Sequence, residues 1–237
     1  MMDHVSNQQI TLSQAKQEAS TIFLAKVFNW MAIGLGLTGV IAWFTASTGL
    51  AAQLVASPLF MILLFAELGL VFFLSARINK IQAGTATGLF LGYAALNGLT
   101  LSMIFLAYTQ SSIAATFFIT AGMFGAMAVY GFVTRRDLSG MGSFLFMGLI
   151  GIIIASVVNI FLKSSSLYWA ISLIGVFVFV GLTAYDVQKI KKMGEDGIME
   201  QGEEMVKKGA IMGALALYLD FINLFLMLLR FFGGSRD

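Results

Sequence analysis

Seven apolar stretches dominate the chain: approximately Leu24 to Phe44, Leu59 to Ala76, Gly84 to Leu106, Ile113 to Val133, Ser143 to Leu162, Leu167 to Val187 and Gly209 to Phe231. A helix needs roughly 20 apolar residues to cross the hydrocarbon of a bilayer. Each stretch is therefore a candidate span, and together they leave no length for a separate soluble domain. With 59% hydrophobic and 11% charged residues, the chain lies far from the soluble balance of about half apolar and a quarter charged. A membrane β-barrel needs short segments of alternating polarity, whereas these runs are continuous. The sequence predicts an all-α membrane protein, a seven-transmembrane-helix bundle, whose natural surroundings are the lipid bilayer.

The division expected is a polar tail over residues 1–22, a seven-helix transmembrane domain over 23–232 and a short tail over 233–237. The first twenty residues, MMDHVSNQQITLSQAKQEAS, lack a cationic start running into a short apolar core, so no signal peptide is read there. They are expected to form a mobile or surface-lying tail. Lysines and arginines fall unequally on the two sides. Eleven of the fourteen (Lys16, Lys26, Arg77, Lys80, Arg135, Arg136, Lys189, Lys191, Lys192, Lys207 and Lys208) lie on one side, against Lys163, Arg230 and Arg236 on the other. By the positive-inside rule the amino terminus is cytoplasmic and the carboxyl terminus outside.

Several chemistries are excluded early. The chain has no cysteine, hence no disulfide and no thiol catalysis. Its one histidine, His4, sits in the polar tail, which disfavours imidazole-based metal chemistry. The positive residues are scattered among loops instead of gathered on a face, so no nucleic-acid partner is expected. No cofactor and no enzymatic activity are expected.

Local signals add detail. Ser57 before Pro58, the only proline, predicts a helix start with a hydroxyl cap and proline in the first turn. Gly84, Gly88 and Gly92 recur every fourth residue, which predicts a face of the third span that admits a neighbouring backbone closely.

Three acidic residues fall inside spans: Glu67, Asp186 and Asp220. A carboxylate at the centre of a spanning helix costs on the order of 2.5–3.5 kcal/mol even on the lenient insertion scale, so each needs a partner, a proton or water. Asp220 lies eleven residues past Gly209 and Glu67 nine past Pro58, both near the midplane. Asp186 lies three residues before Lys189, near enough to the predicted interface to reach headgroup water. A structural hydrogen bond between helices is the plain alternative for all three. Arg77 ends the second span on the same side as Asp186, so an ion pair between them is allowed, as is an ordinary snorkelling arginine. Asn97, Asn159, Tyr185, Tyr218 and Asn223 are candidates for a polar seam. Of these, Asn97 and Asn223 join Glu67 as candidate lining of an ion path.

The stretches GLTAYDVQKI in the sixth span, LALYLDFINLFLMLLR in the seventh and TRRDLSGMG between the fourth and fifth resemble the Bax inhibitor-1 family, also called the transmembrane BAX inhibitor motif family, in its bacterial branch. The likeness covers nearly all of the chain. It implies six helices around a central, strongly apolar seventh, and a passive calcium leak in the bacterial inner membrane with pH-dependent gating. A role in ion homeostasis and stress protection goes with it. By position in the motifs, Asp186 and Asp220 correspond to the family's proton-sharing pair, and Arg77, matched by helix and side, to its latch. Calcium and protons would be the transported and sensed ions, with Asp186 and Asp220 as the calcium-facing oxygens.

Independently of the resemblance, two carboxylates close together in low dielectric cannot both ionise comfortably, and such a pair titrates as a unit. Oxygen ligands suit calcium, but equally protons or sodium. Simple counting places Asp186 near the interface and Asp220 near the midplane. Contact then requires the sixth helix to sink deeper or the seventh to start inside the cytoplasm. The intervening KKMGEDGIMEQGEEMVKK is expected to form a solvated surface helix.

Two other readings remain open. One is a non-conducting regulator of a membrane-bound quality-control protease. The other is an intramembrane aspartyl protease, which also pairs a Tyr-Asp with a second aspartate. Against the protease, Asp220 lacks a preceding Gly-x-Gly and no proline follows it.

Overall fold

A computed structural model describes the backbone of residues 2–234 and the side chains of residues 14–234. The helices in chain order are α1 (Met2–Ser47), α2 (Leu50–Val55), α3 (Leu59–Arg77), α4 (Ala83–Leu101), α5 (Ile104–Ala107), α6 (Gln110–Val133), α7 (Ser139–Leu162), α8 (Ser165–Glu195) and α9 (Glu203–Phe232). No strand is present among the described residues. Seven helical segments are long and apolar enough to cross a membrane. Within lipid a backbone must satisfy its own hydrogen bonds, and helices do so segment by segment. The chain is an all-α membrane protein.

The spans outrun the apolar stretches that predict them. α8 continues eight residues past Val187 to Glu195, and α9 begins six before Gly209 at Glu203. The expected surface helix between them is therefore not formed. Most of its residues belong to the charged ends of α8 and α9, joined by a short turn in which Gly197 and Gly202 take positive φ of 84° and 89°, a conformation that costs glycine little. At the start of the chain α1 is one helix from Met2, and Ser20 is fully buried. The expected mobile tail is thus helical where it enters the bundle. The side chain of His4 and residues 235–237, including Arg236, lie outside the described residues.

Caps are local and polar. Thr109 Oγ1 accepts from Ser112 N at the start of α6, and Ser164 Oγ from Leu167 N at the start of α8. Asn159 Oδ1 accepts from Ser164 N in the same turn. At the start of α3 the N-cap is Pro58 itself, without a side-chain cap. Ser57 instead donates its hydroxyl backwards to Leu54 O at 2.9 Å, so the expected hydroxyl cap does not form.

α9 carries the densest run of buried residues, from Val206 to Leu229. It packs on α1, α4, α6 and α8, while α3 packs chiefly on α4 and α7 on α8. The main packing partners of α9 are therefore α1, α4, α6 and α8. Since lipid is as apolar as leucine, helices associate through close packing and polar bonds more than through hydrophobic burial. The close approaches occur at other glycines than those predicted. A Cβ on Gly131 of α6 would strike the carbonyl oxygen of Ala184, and one on Gly142 of α7 would strike the ring of Tyr185. Around Gly84, Gly88 and Gly92 there is open space. These three share a face, but no neighbouring backbone lies against it.

Candidate functional site

The local sequence of α8 sets the site. Its small residues Gly181, Thr183 and Ala184 let α6 and α7 close on it at Gly131 and Leu145. This brings Tyr185 and Asp186 to the helix junctions. α9 approaches from the other side, with Gly213 near Ile190 and Met227 near Gly175. The antiparallel register of these contacts sets Asp220 opposite residues 182–183 of α8, one turn from Asp186 and within reach of its side chain.

The two carboxyl groups lie within hydrogen-bonding reach of each other. Asp220 is 4% exposed and Asp186 only partly buried. The second carboxylate oxygen of Asp220, Oδ2, is buried without a donor. Two ionised carboxylates offer no donor to each other, so a hydrogen bond between them requires one of them to carry a proton. Lys189, exposed and one turn on, is the cation whose charge reaches Asp186. Contact arises because α8 runs on: Asp186 lies nine residues inside its end, about 14 Å at 1.5 Å per residue.

One turn beyond Asp186, α8 fastens the loop that contains TRRDLSGMG. Gln188 accepts from Leu138 N through Oε1 and donates through Nε2 to Arg136 O, both at 2.8 Å. Lys191 donates to Phe132 O at 3.0 Å, and Lys192 to Asp137 at 2.8 Å. Asp137, in the loop outside the spans, is held down to about 2 by the hydrogen bond from Lys192 and then by those from Ser139. Sequence reasoning passed over Gln188. Its position two residues after the aspartate was visible, but nothing in the sequence paired it with a loop fifty residues away.

Glu67 is 7% exposed and lies elsewhere, between α3 and α4. Thr100 Oγ1 donates to its Oε1 at 2.7 Å and Asn97 Nδ2 to its Oε2 at 3.2 Å. Tyr218 donates its hydroxyl to Asn97 Oδ1 at 3.3 Å and shares a 2.6 Å bond with Thr38. The rings of Phe90 and Tyr93 meet that of Tyr218 edge to face. This network ties α1, α3, α4 and α9 together. Both Glu67 oxygens are engaged by donors. Asn97 belongs to this network. Asn223 does not: its amide donates to Leu219 O of its own helix at 2.8 Å.

Arg77 is not brought to the aspartates. It ends α3, which packs chiefly on α4, and its side chain is exposed, with no ion pair among the described residues. Among the described residues the ion pairs are Lys191–Glu195, Lys192–Asp137, Lys207–Glu203 and Lys208–Glu204. No group of three or more acidic or histidine side chains suited to a metal occurs among the described residues. Two carboxylates by themselves supply fewer oxygens than the six to eight that calcium takes.

Residues 21–237 match the family model described as Inhibitor of apoptosis-promoting Bax1. The chain belongs to the Bax inhibitor-1 family. Among its relatives in that family, the inner membrane protein YbhL of Escherichia coli (strain K12) is 56% identical over 216 residues, covering 90% of this chain and 92% of the relative. A protein of Borreliella burgdorferi is 51% identical over 232 residues, covering 96% and 99%. A protein of Deinococcus radiodurans is 46% identical over 234 residues, covering 98% and 99%. The family assignment thus extends over every span and over both aspartate-bearing helices.

Proposed function

We propose that this Bax inhibitor-1 family protein is a pH-sensitive calcium leak of a bacterial inner membrane, gated by a proton shared between Asp186 and Asp220. The inner-membrane location follows the name of the YbhL relative, and ion homeostasis under stress is the corresponding cellular role. The observation that carries the reading is the mutual contact of the two carboxyl groups, with Asp220 Oδ2 buried and lacking a donor.

With one proton in place, the bond between the acids holds α8 to α9. Loss of that proton leaves two like charges in a medium of low dielectric, where repulsion is strong. Separation of the helices relieves it, and a divalent cation entering between them neutralises both charges. The partly buried Asp186 is the member through which protons and cations first arrive. Lys189, one turn from Asp186, is a cation near the pair and competes with an entering cation. Protonation and helix separation are thereby linked, as ligand and conformation are in any two-state equilibrium.

The test is reconstitution into liposomes loaded with a calcium dye, comparing wild type with Asp186→Asn and Asp220→Asn across pH. The expected outcome is a pH-dependent flux in wild type that flattens in both variants. Absence of flux in all three would remove the leak and favour the non-conducting regulator of a membrane protease. Cleavage of model spanning peptides, abolished by Asp220→Asn, would instead favour the intramembrane protease.

A further inference from the structure

α1 and α6 both pack on α8 and α9, yet between them they leave a groove of about 590 Å³. Its walls include Phe28 and Met31 of α1 and Gly125 and Ala128 of α6; Val187 and Phe221 line it from α8 and α9. The last two are the chain neighbours of Asp186 and Asp220. The lining is almost wholly apolar, and apolar cavities do not hold water. A Cβ on Gly125 would meet nothing within 4 Å, so this glycine serves no helix contact and keeps the groove open.

At the end of the groove nearest Arg135 and Arg136, Phe132 contributes to the lining. There the Lys191 ammonium sits 5.3 Å from the centre of the Phe132 ring and 3.0 Å from the Phe132 carbonyl oxygen. Its ion pair with Glu195 is long, at 3.6 Å. An ammonium has three donors, which leaves one for an anion. Basic residues between spans at a membrane surface are a recurrent means of holding lipid headgroups.

The volume decides what fits. A helix is about 10 Å across with side chains, and 590 Å³ would hold little more than one turn of it. A single flexible hydrocarbon chain is far thinner. We propose that the groove binds one acyl chain of an anionic phospholipid of the surrounding bilayer, with its phosphate at Lys191 and its chain against Val187 and Phe221. The lipid then lies against the residues flanking the aspartate pair on both helices. Binding itself does not depend on the pair acting as a gate.

The full chain, purified in detergent and delipidated, is titrated with phosphatidylglycerol or phosphatidylcholine and examined by native mass spectrometry. Wild type is expected to retain one phosphatidylglycerol in preference to phosphatidylcholine. Gly125→Leu, which adds bulk where the backbone has room, is expected to weaken retention at least tenfold at an unchanged unfolding temperature. Lys191→Gln is expected to abolish the preference while keeping residual binding of both lipids. Equal retention by wild type and Gly125→Leu, unsaturable uptake of many lipids, or a wild type indifferent to headgroup charge would overturn the inference. So would a dimer of wild type that Gly125→Leu dissolves, which would give the groove to a second copy of the chain. No ion flux enters these readouts, so failure of the gating mechanism leaves the result interpretable.

Discussion

Asp137 and Asp220 illustrate how differently one side chain behaves in water and in a bundle. Asp137 is solvated in its loop and held down to about 2 by its bonds from Lys192 and Ser139, below the ordinary carboxylate value of about 3.9. A carboxylate depressed on folding contributes stability that is complete above its unfolded value and is lost as pH falls through its folded one. The Asp137 contact is thus constant from about pH 4 upwards and weakens only towards about pH 2. Asp137→Asn is accordingly expected to leave the pH midpoint of calcium flux between pH 5 and 8 unmoved in the liposome assay, in contrast to the aspartates of the pair. The pair itself was half legible in the sequence. Two acids in apolar runs announce themselves by their cost, but their contact was obscured because the apolar run of α8 stops at Val187 while its hydrogen bonding continues to Glu195.

Among the elements, α8 is gripped on several sides, and the grip depends on missing side chains. The Gly131 approach ends on a backbone carbonyl, which cannot swing aside as a flexible side chain would. Gly131→Leu is expected to destabilise by about 1–3 kcal/mol, the usual cost of overpacking. For a chain of this size that lowers the thermal unfolding midpoint by roughly 2–4 °C per kcal/mol. The same substitution at Gly88, which faces open space, should leave the midpoint in place. The sequence pointed to the wrong glycines here, since a four-residue spacing defines a face but not what lies against it. α3 stands apart from this grip, with Arg77 exposed at its end. Arg77→Gln is therefore expected to leave the pH midpoint of flux unshifted. A shift would reveal a second arrangement in which α3 carries the guanidinium to the aspartates.

For the whole molecule, the spans were legible and the polar ties between them only in part: Asn97 and Tyr218 stood out as seam candidates and do join the network, but their partners did not. Continuous apolar runs fix the number of crossings, whereas Thr38, Thr100 and Tyr93 are ordinary residues in ordinary runs and acquire meaning only when α1, α4 and α9 converge on Glu67. The proposed mechanism requires α8 and α9 to part, and a chain without cysteine permits a clean test. A Cβ at position 175 would lie 2.9 Å from Met227 Cγ, close to where a cysteine sulfur at 227 would sit. The double variant Gly175→Cys/Met227→Cys is expected to form a disulfide between the helices. Its calcium flux should fall to background at every pH and return on reduction. Unchanged flux in the oxidised protein would mean that ions pass without movement between these two helices.

The tight link at residues 196–202 has a bearing on biogenesis. Helices joined by so few residues can enter the translocon as one hairpin, with Asp186 and Asp220 already face to face. Neither acid then has to meet lipid alone on its way into the bilayer, where a solitary charge is penalised. Lengthening this link with flexible residues should lower the yield of inserted protein in a glycosylation-mapping assay, even where the finished bundle tolerates the extra length.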